Sequence, residues 1–277
     1  MGNHGRPAIK GSDSLKQTTE QTTALVSIIT PAYNAEHFIA DTILSVQAQT
    51  YPHWEMLIVD DCSTDKTVEI VEQYEKNDSR IKLFRLPENS GPATARNTAM
   101  DHASGRFFAF LDGDDQWLPQ KLEKQVAFME QNDIAFSFTK YRTMTEDGTD
   151  MNRVVGVPEQ VDYQETLRYN VIGCLTVMID AEQVGPVRMV NMRSRQDYVF
   201  WLTILKKGFI AYGLPEVLAK YRIVGNSVSS NKWKMARQNW KVYRKIEKQS
   251  LVKSLWYLSN YIYHSLKKYV FKGKSTV

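Results

Sequence analysis

Residues 106–115 read RFFAFLDGDD: five apolar residues, Phe107 to Leu111, run straight into Asp112, Asp114 and Asp115 around the single Gly113. A short apolar run without polar alternation is what a strand buried on both faces of a parallel sheet requires. Its abrupt end in three acids sets like charges beside low-dielectric material, which is unfavourable unless a cation compensates. Carboxylates at spacings of one and two are hard oxygen ligands suited to Mg2+ or Mn2+, ions that complete their shell with substrate phosphates.

Upstream the same theme repeats three times. LVSIITPAYN (25–34), HWEMLIVDD (53–61) and RIKLFRLPEN (80–89) read as strands. Each is followed by a stretch with helical apolar spacing: AEHFIADTILSVQAQTY, DKTVEIVEQYEKN and GPATARNTAMDHAS. Asp60, Asp61 and Ser63 supply a turn and an N-cap for the second helix, and Gly91-Pro92 opens the third. Alternating strands and helices predict an α/β fold with a mostly parallel central sheet and helices on both faces. In such sheets ligands collect at the carboxyl ends of the strands. Tyr33, Asp60 and Asp112 each follow such an end.

Downstream, residues 117–132 read as a helix beginning at Trp117, which is expected to pack beneath the acidic loop. Residues 134–144 read as a strand, 147–150 (DGTD) as a turn and 151–162 as a loop. SRQDYVFWLTILKKG (194–208) restarts a helix with Asp197 in its first turn, where the helix dipole favours a carboxylate.

The formal net charge is +4. Between Lys232 and Lys274, however, twelve Lys or Arg face the single acid Glu247 among nine aromatics, so the rest of the chain is net acidic. Cys62 and Cys174 form neither a disulfide framework nor a zinc motif, which fits a reducing cytosol. Cys62 has no histidine near it in sequence and reads as a passive loop residue. The histidines lack metal-ligand spacing. Residues 1–24 have no apolar h-region and read as a flexible leader.

The ordered set P-x-Y-N (31–34), V-D-D-x-S-x-D (59–65), G-x-x-x-A-R-N (91–97) and D-x-D-D (112–115) resembles the nucleotide-sugar half of family 2 glycosyltransferases of the GT-A fold. The likeness spans roughly residues 25–230, and it is greatest to bacterial enzymes of capsule, teichuronic acid or lipopolysaccharide synthesis. It implies residues 25–231 as the GT-A domain, with 25–115 the nucleotide-binding half and 116–231 the acceptor half. It implies a metal-dependent inverting transfer of a sugar from a nucleotide-sugar, with UDP as the expected carrier, to a saccharide or polyprenyl-linked acceptor. By the same resemblance Pro31 and Tyr33 line the nucleobase pocket and Asp60 accepts a hydrogen bond from the base. Arg96 approaches the diphosphate or the base, and Asp112 holds the ribose. Asp114 binds Mn2+ or Mg2+, with Asp112 as the second metal candidate and Asp115 beside them. Asp197 is the catalytic base, at a place where the family commonly has Glu-Asp and this chain has Gln196-Asp197. Tyr221, Arg222 and Ser227 resemble a late motif near the donor phosphates. The Q-x-x-R-W of processive synthases is missing after Asp197, which implies one sugar per binding event.

Two other classes fit less well. A sugar nucleotidyltransferase carries a glycine-rich G-x-G-T-R loop after its first strand, and TPAYNAE has no glycine. Nucleic-acid binding would use the basic tail but leaves acids at three strand ends of an acidic domain unexplained. A non-catalytic carbohydrate or nucleotide-sugar binding relative is the remaining alternative.

In the tail, residues 232–277, Leu251, Leu255, Leu258, Ile262 and Leu266 recur at helical spacing with lysines nearby, an amphipathic helix. The uncharged core from Ser254 to Leu266 is shorter than the roughly 20 residues that span a bilayer. The helix is therefore expected to lie on an anionic membrane surface, placing the protein in the cytoplasm at the inner face of the plasma membrane. The competing expectation is packing on its own domain or on a second copy.

Overall fold

The computed structural model describes residues 23–192, 194–225 and 232–270. Ser227 and most of the expected leader lie outside the described residues, as does the side chain of Leu266. The elements follow in chain order: β1 (Val26–Ala32), α1 (Ile39–Gln47), β2 (Trp54–Asp60), α2 (Thr67–Asn77), β3 (Ile81–Arg85), α3 (Pro92–Asp101) and β4 (Phe107–Phe110). Then come β5 (Gln116–Trp117), α4 (Lys121–Gln131), β6 (Phe136–Met144), β7 (Asp150–Val155), β8 (Gln160–Val161), α5 (Tyr163–Arg168), β9 (Met178–Asp180) and α6 (Ala181–Val184). Last are α7 (Gln196–Lys206), β10 (Ala211–Arg222), α8 (Lys232–Lys241) and α9 (Leu251–Val270).

Among the described residues the strands form one sheet in the order β3-β2-β1-β4-β9-β6-β10-β5, with β7 on β6 and β8 on β10. The four βα repeats of the first half give the parallel block β3-β2-β1-β4. The return strand β9 then joins β4 to β6 by antiparallel pairs, and β6 and β10 are parallel again. Helices cover both faces because both faces of β1, β2 and β4 present apolar side chains. Val26, Ile28, Met56 and Ile58 pack with Ile39, Ile43, Val71 and Leu122 on one side. Ile29, Leu57 and Val59 pack with Ala93, Ala99, Phe200 and Trp201 on the other. Each fully buried aliphatic side chain contributes roughly 1.5–3 kcal/mol.

A smaller third cluster sets Tyr198, Val199 and Leu202 of α7 and Leu167 of α5 against Val242, Tyr243 and Tyr257 of the C-terminal segment. The face of α9 that packs carries Ser254, Tyr257 and, of the leucine stripe, Leu258; Leu251, Leu255 and Ile262 are exposed, together with Val252, Trp256 and Tyr263.

Three features differ from the sequence reading. Trp117, expected to open a helix, lies in β5, and α4 begins at Lys121. Residues 151–162, expected as a loop, contain β7 and β8; β7 is exposed along nearly all its length, so it carries no apolar alternation. The long β10 was not anticipated either. Gly213 and Pro215 interrupt its pattern, and its pairing with β6 shifts register between Leu214 and Val217.

The amino end of β4 is pinned from below. Ser27 Oγ donates to Glu55 Oε1 at 2.7 Å and accepts from Gly105 N–H at 2.8 Å. A Cβ on Gly105 would fall 2.6 Å from the Leu25 carbonyl oxygen and 2.7 Å from Ser27 N. Gly105→Ala should therefore cost about 2–3 kcal/mol by overpacking, seen as a lower urea midpoint at unchanged m-value.

Candidate active site

The loops leaving β1 and β2 are joined by hydrogen bonds. Asn34 N–H donates to Ser63 Oγ at 2.9 Å, and Asn34 Oδ1 accepts from Thr64 N–H at 2.9 Å. Ala35 N–H donates to Thr67 Oγ1 at 2.7 Å and Glu36 N–H to Asp65 Oδ2 at 3.0 Å. Asn34 (φ 47°) and Cys62 (φ 64°) adopt the left-handed backbone this junction needs. Ser63, expected to cap α2, is thus engaged by the facing loop. Asp65 serves the first turn instead, its Oδ1 accepting from Thr67 N–H at 3.0 Å.

Above this junction Tyr33 is 51% exposed at the rim, and Pro31 is half-buried behind it. Asp60 is 3% exposed; its Oδ2 accepts from Ser63 N–H at 3.0 Å, and its Oδ1 has no partner. A buried carboxylate oxygen without a donor is costly, and a ligand N–H would relieve it. Asp61 differs: both of its oxygens accept backbone N–H groups, from Ser90 at 2.7 Å and Gly91 at 2.8 Å. It holds the entry to α3.

The acidic loop lies against the end of β1, so close that a Cβ on Gly113 would meet the Pro31 carbonyl oxygen at 3.2 Å. Asp112 is ion-paired with Arg96, which is 4% exposed and whose Nε and Nη1 have no partner. Burial works to lower the pKa of Arg96, yet the Asp112 carboxylate, followed by Cys174 and Asp197, drives it up. One buried guanidinium therefore feels the field of both Asp112 and Asp197. The neighbouring Asn97 makes two hydrogen bonds to the backbone of Met189, at 2.9 and 2.8 Å, fastening α3 to the segment that leads into α7. Asp197 is the second residue of α7.

Burial, then the Asp112 charge, pushes the Asp114 carboxyl up to about 6. Burial followed by Asp114 and Asp112 raises Asp115 well above the usual carboxylate range. Asp115 is 1% exposed and accepts Arg222 N–H at 2.8 Å, so it points into the protein, leaving Asp112 and Asp114 as the more open carboxylates. The expected phosphate contact of Arg222 meets an obstacle. Its Nε donates to Asp114 O at 2.8 Å, Nη1 to Glu146 O at 2.6 Å and Nη2 to Asp41 Oδ2 at 3.2 Å. Arg222 is a clamp on the acidic loop. Trp117 packs as expected: it is buried, and its Nε1 donates to Leu175 O at 2.8 Å.

Among the described residues no group of three or more His, Cys, Asp or Glu surrounds an ion position. What the loop offers is smaller: hard oxygens on Asp114 and Asp112 whose mutual repulsion nearby cations only partly offset. That donor set fits a divalent ion that takes its remaining ligands from phosphates and water. Sequence reasoning missed the clamp role of Arg222. It also missed a pocket lined by Arg195, Asn239, Tyr243 and Tyr261, because the tail residues that build it are remote in sequence and belong to no motif.

Comparison with known proteins identifies the family. Glycosyl transferase family 2 matches residues 27–182. The chain is 54% identical over 244 residues to the glycosyltransferase TuaG of Bacillus subtilis (strain 168), named for teichuronic acid biosynthesis, covering 88% of this chain and 97% of that one. It is 41% identical over 255 residues to the UDP-Glc:alpha-D-GlcNAc-diphosphoundecaprenol beta-1,3-glucosyltransferase WfgD of Escherichia coli, covering 91% and 97%. Among solved structures, S. aureus TarS 1–349 in complex with UDP-GlcNAc superposes with a TM-score of 0.65 at 21% identity, covering 91% of this chain and 76% of that one. The chain spans 40% of a longer TarS structure. The mannosyltransferase PcManGT of Pyrobaculum calidifontis, in complex with GDP-Man and Mn2+, gives 0.65 at 18% identity, covering 92% and 76%. These structural likenesses establish the fold. The family match and the sequence relatives go further: the chain is a glycosyltransferase and belongs to glycosyl transferase family 2.

Proposed function

We propose that this enzyme moves one sugar per binding event from a UDP-sugar to a hydroxyl of a saccharide carried on a polyprenyl diphosphate, with inversion, during cell-envelope polysaccharide synthesis. The observation that best supports this reading is the pairing of Asp112, at the end of β4, with the buried Arg96, a guanidinium on which the charge of Asp197 also acts. The names of TuaG and WfgD support the envelope polymer and the diphosphate-linked acceptor.

In this reading residues 25–115 hold the donor and 116–231 the acceptor. Tyr33 and Pro31 flank the nucleobase, and the unpartnered Asp60 Oδ1 accepts its N–H. Asp112 and Asp114 would hold Mg2+ or Mn2+, which when bound offsets the negative charge of the departing diphosphate. Asp115 and Arg222 fix the shape of that loop. Asp197 takes the proton of the attacking hydroxyl, on the face opposite the leaving group as in-line displacement requires. Calorimetry of UDP binding with and without Mn2+ tests the donor site. Binding should tighten at least about tenfold with the ion; equal affinity in its absence would overturn the reading.

No helix among the described residues is long and apolar enough to cross a membrane. The exposed Leu251, Leu255, Trp256 and Ile262 on α9, beside the basic residues of the tail, support docking on an anionic lipid surface at the cytoplasmic leaflet. Removing the tail outright would also strip Tyr243 and Tyr257 from a packed cluster, so a surface variant is the cleaner probe. The triple substitution Leu251→Ser, Leu255→Ser, Ile262→Ser should release the protein from phosphatidylglycerol vesicles in sedimentation at unchanged melting temperature. Retained binding would reject membrane docking.

A further inference from the structure

At the N-terminus of α7, on the side facing the C-terminal helices, a pocket of about 250 Å3, counted with its open mouth, is lined by Arg195, Tyr198, Asn170, Asn239, Tyr243 and Tyr261. Its donors are unusually uncommitted. Arg195 has no carboxylate partner among the described residues, and its Nε has no acceptor. Its Nη2 donates to Tyr261 Oη at 3.2 Å, which leaves the Tyr261 proton free for a ligand. Asn239, 2% exposed, lines the same space and its amide oxygen Oδ1 has no partner; with the amide turned over it would offer N–H to an anion instead. No side chain caps the first turn of α7, an end that favours anions. The tyrosine hydroxyls that could compete are occupied: Tyr198 donates to Thr166 O and Tyr243 to Leu167 O, each at 3.2 Å.

Arg195 also sits at φ 69°, in the left-handed region where a side chain is strained. Such strain concentrates where function holds it in place, and glycine would suit the backbone better. The pocket is narrow and open at its mouth, so it admits only the charged end of a ligand and leaves the rest outside. Two edges give it an address. Asp197 lies two residues from Arg195 along α7. Ile262 and Tyr263, adjoining Tyr261, are exposed on the apolar face of α9.

We infer that this pocket is an anchoring site for the diphosphate of a lipid-linked acceptor, with Arg195 and Tyr261 as the anion donors. The lipid leaves along α9 and the sugar is directed toward Asp197. The inference rests on the proposed acceptor class, but it assigns a different site from that of the donor.

The test uses the full chain with UDP and Mn2+ at saturation, so that the donor site is filled, and titrates geranyl diphosphate and inorganic pyrophosphate as probes. Geranyl diphosphate should bind more tightly than pyrophosphate. Arg195→Gly should weaken geranyl diphosphate by about tenfold or more, the loss expected for a charge-assisted hydrogen bond, and Tyr261→Phe by less. Arg195→Gly should melt no lower than the parent, because it relieves the strained backbone; that keeps loss of binding distinct from loss of fold. Geranyl diphosphate binding unchanged in Arg195→Gly, or absent from the parent, would overturn the anchor. Equal affinity for the two probes would mark a soluble-anion site and overturn the acceptor assignment. Failure of the parent to bind UDP with Mn2+ in the same cell would instead strike the proposed donor chemistry.

Discussion

Asp197→Asn should lower transfer by on the order of 10³-fold, within the range for loss of a general base, while UDP affinity should stay within about twofold. Asn keeps the size and a hydrogen-bonding oxygen but cannot take a proton at neutral pH. The substitution also removes a negative charge that acts on Arg96, but the pairing of Arg96 with Asp112 is retained. The measurement is kcat with saturating donor and acceptor, beside a calorimetric titration of UDP. A drop in kcat with unchanged UDP binding assigns Asp197 to the chemical step. Full activity would remove it from that role, and equal loss of UDP binding would make it a structural support.

Asp114→Asn is expected to act on the donor instead. With one of two hard-oxygen donors gone, Mn2+ should cease to tighten UDP, and kcat/KM should fall on the order of 10²-fold. The same variant should stabilise the ligand-free fold at pH 7. The folded-state carboxyl titrates at about 6 against an unperturbed 3.8. The folded state therefore binds the extra proton, and its stability declines as pH rises from about 4 to about 6. At pH 7 the full penalty of ionising Asp114 beside Asp112 is present, and a neutral amide does not bear it. Urea midpoints at pH 5 and 7 check this: the gap between parent and variant should be larger at pH 7. A variant less stable than the parent at pH 7 would mean that the carboxylate is fully compensated.

The first half of the fold is readable from sequence because its physics is local. Apolar runs at Met56 to Val59 and Phe107 to Leu111 have no polar face to expose, and helices of about three turns separate them. Asp60 and Asp112 inherit their places from the strands they end. The second half is less readable for equally specific reasons. The face of β7 is solvated, the pattern of β10 is broken by Gly213 and Pro215, and β9 is only three residues long. Ser63 has the composition of a cap, yet its hydroxyl is engaged by Asn34 across 29 positions, which no local pattern encodes. The α9 stripe was correctly read as helical, but the side that packs is Ser254, Tyr257 and Leu258; Tyr257 reaches Gln164 of α5 through its hydroxyl and Tyr243 through its ring, partners remote in sequence. The Arg195 pocket draws on α7, α8 and α9 together, so no single segment announces it.

The paired hydrogen bonds between Asn97 and Met189 have a practical bearing on engineering this enzyme. The segment matched by the family ends at residue 182, which makes that position an inviting splice point for chimeras. A cut there would leave Asn97 on one parent and its backbone partners on the other. Recombinants that carry residues 183–192 along with the segment that holds Asn97 keep that latch intact, and the graft then inherits a correctly seated helix rather than one that must find its own register.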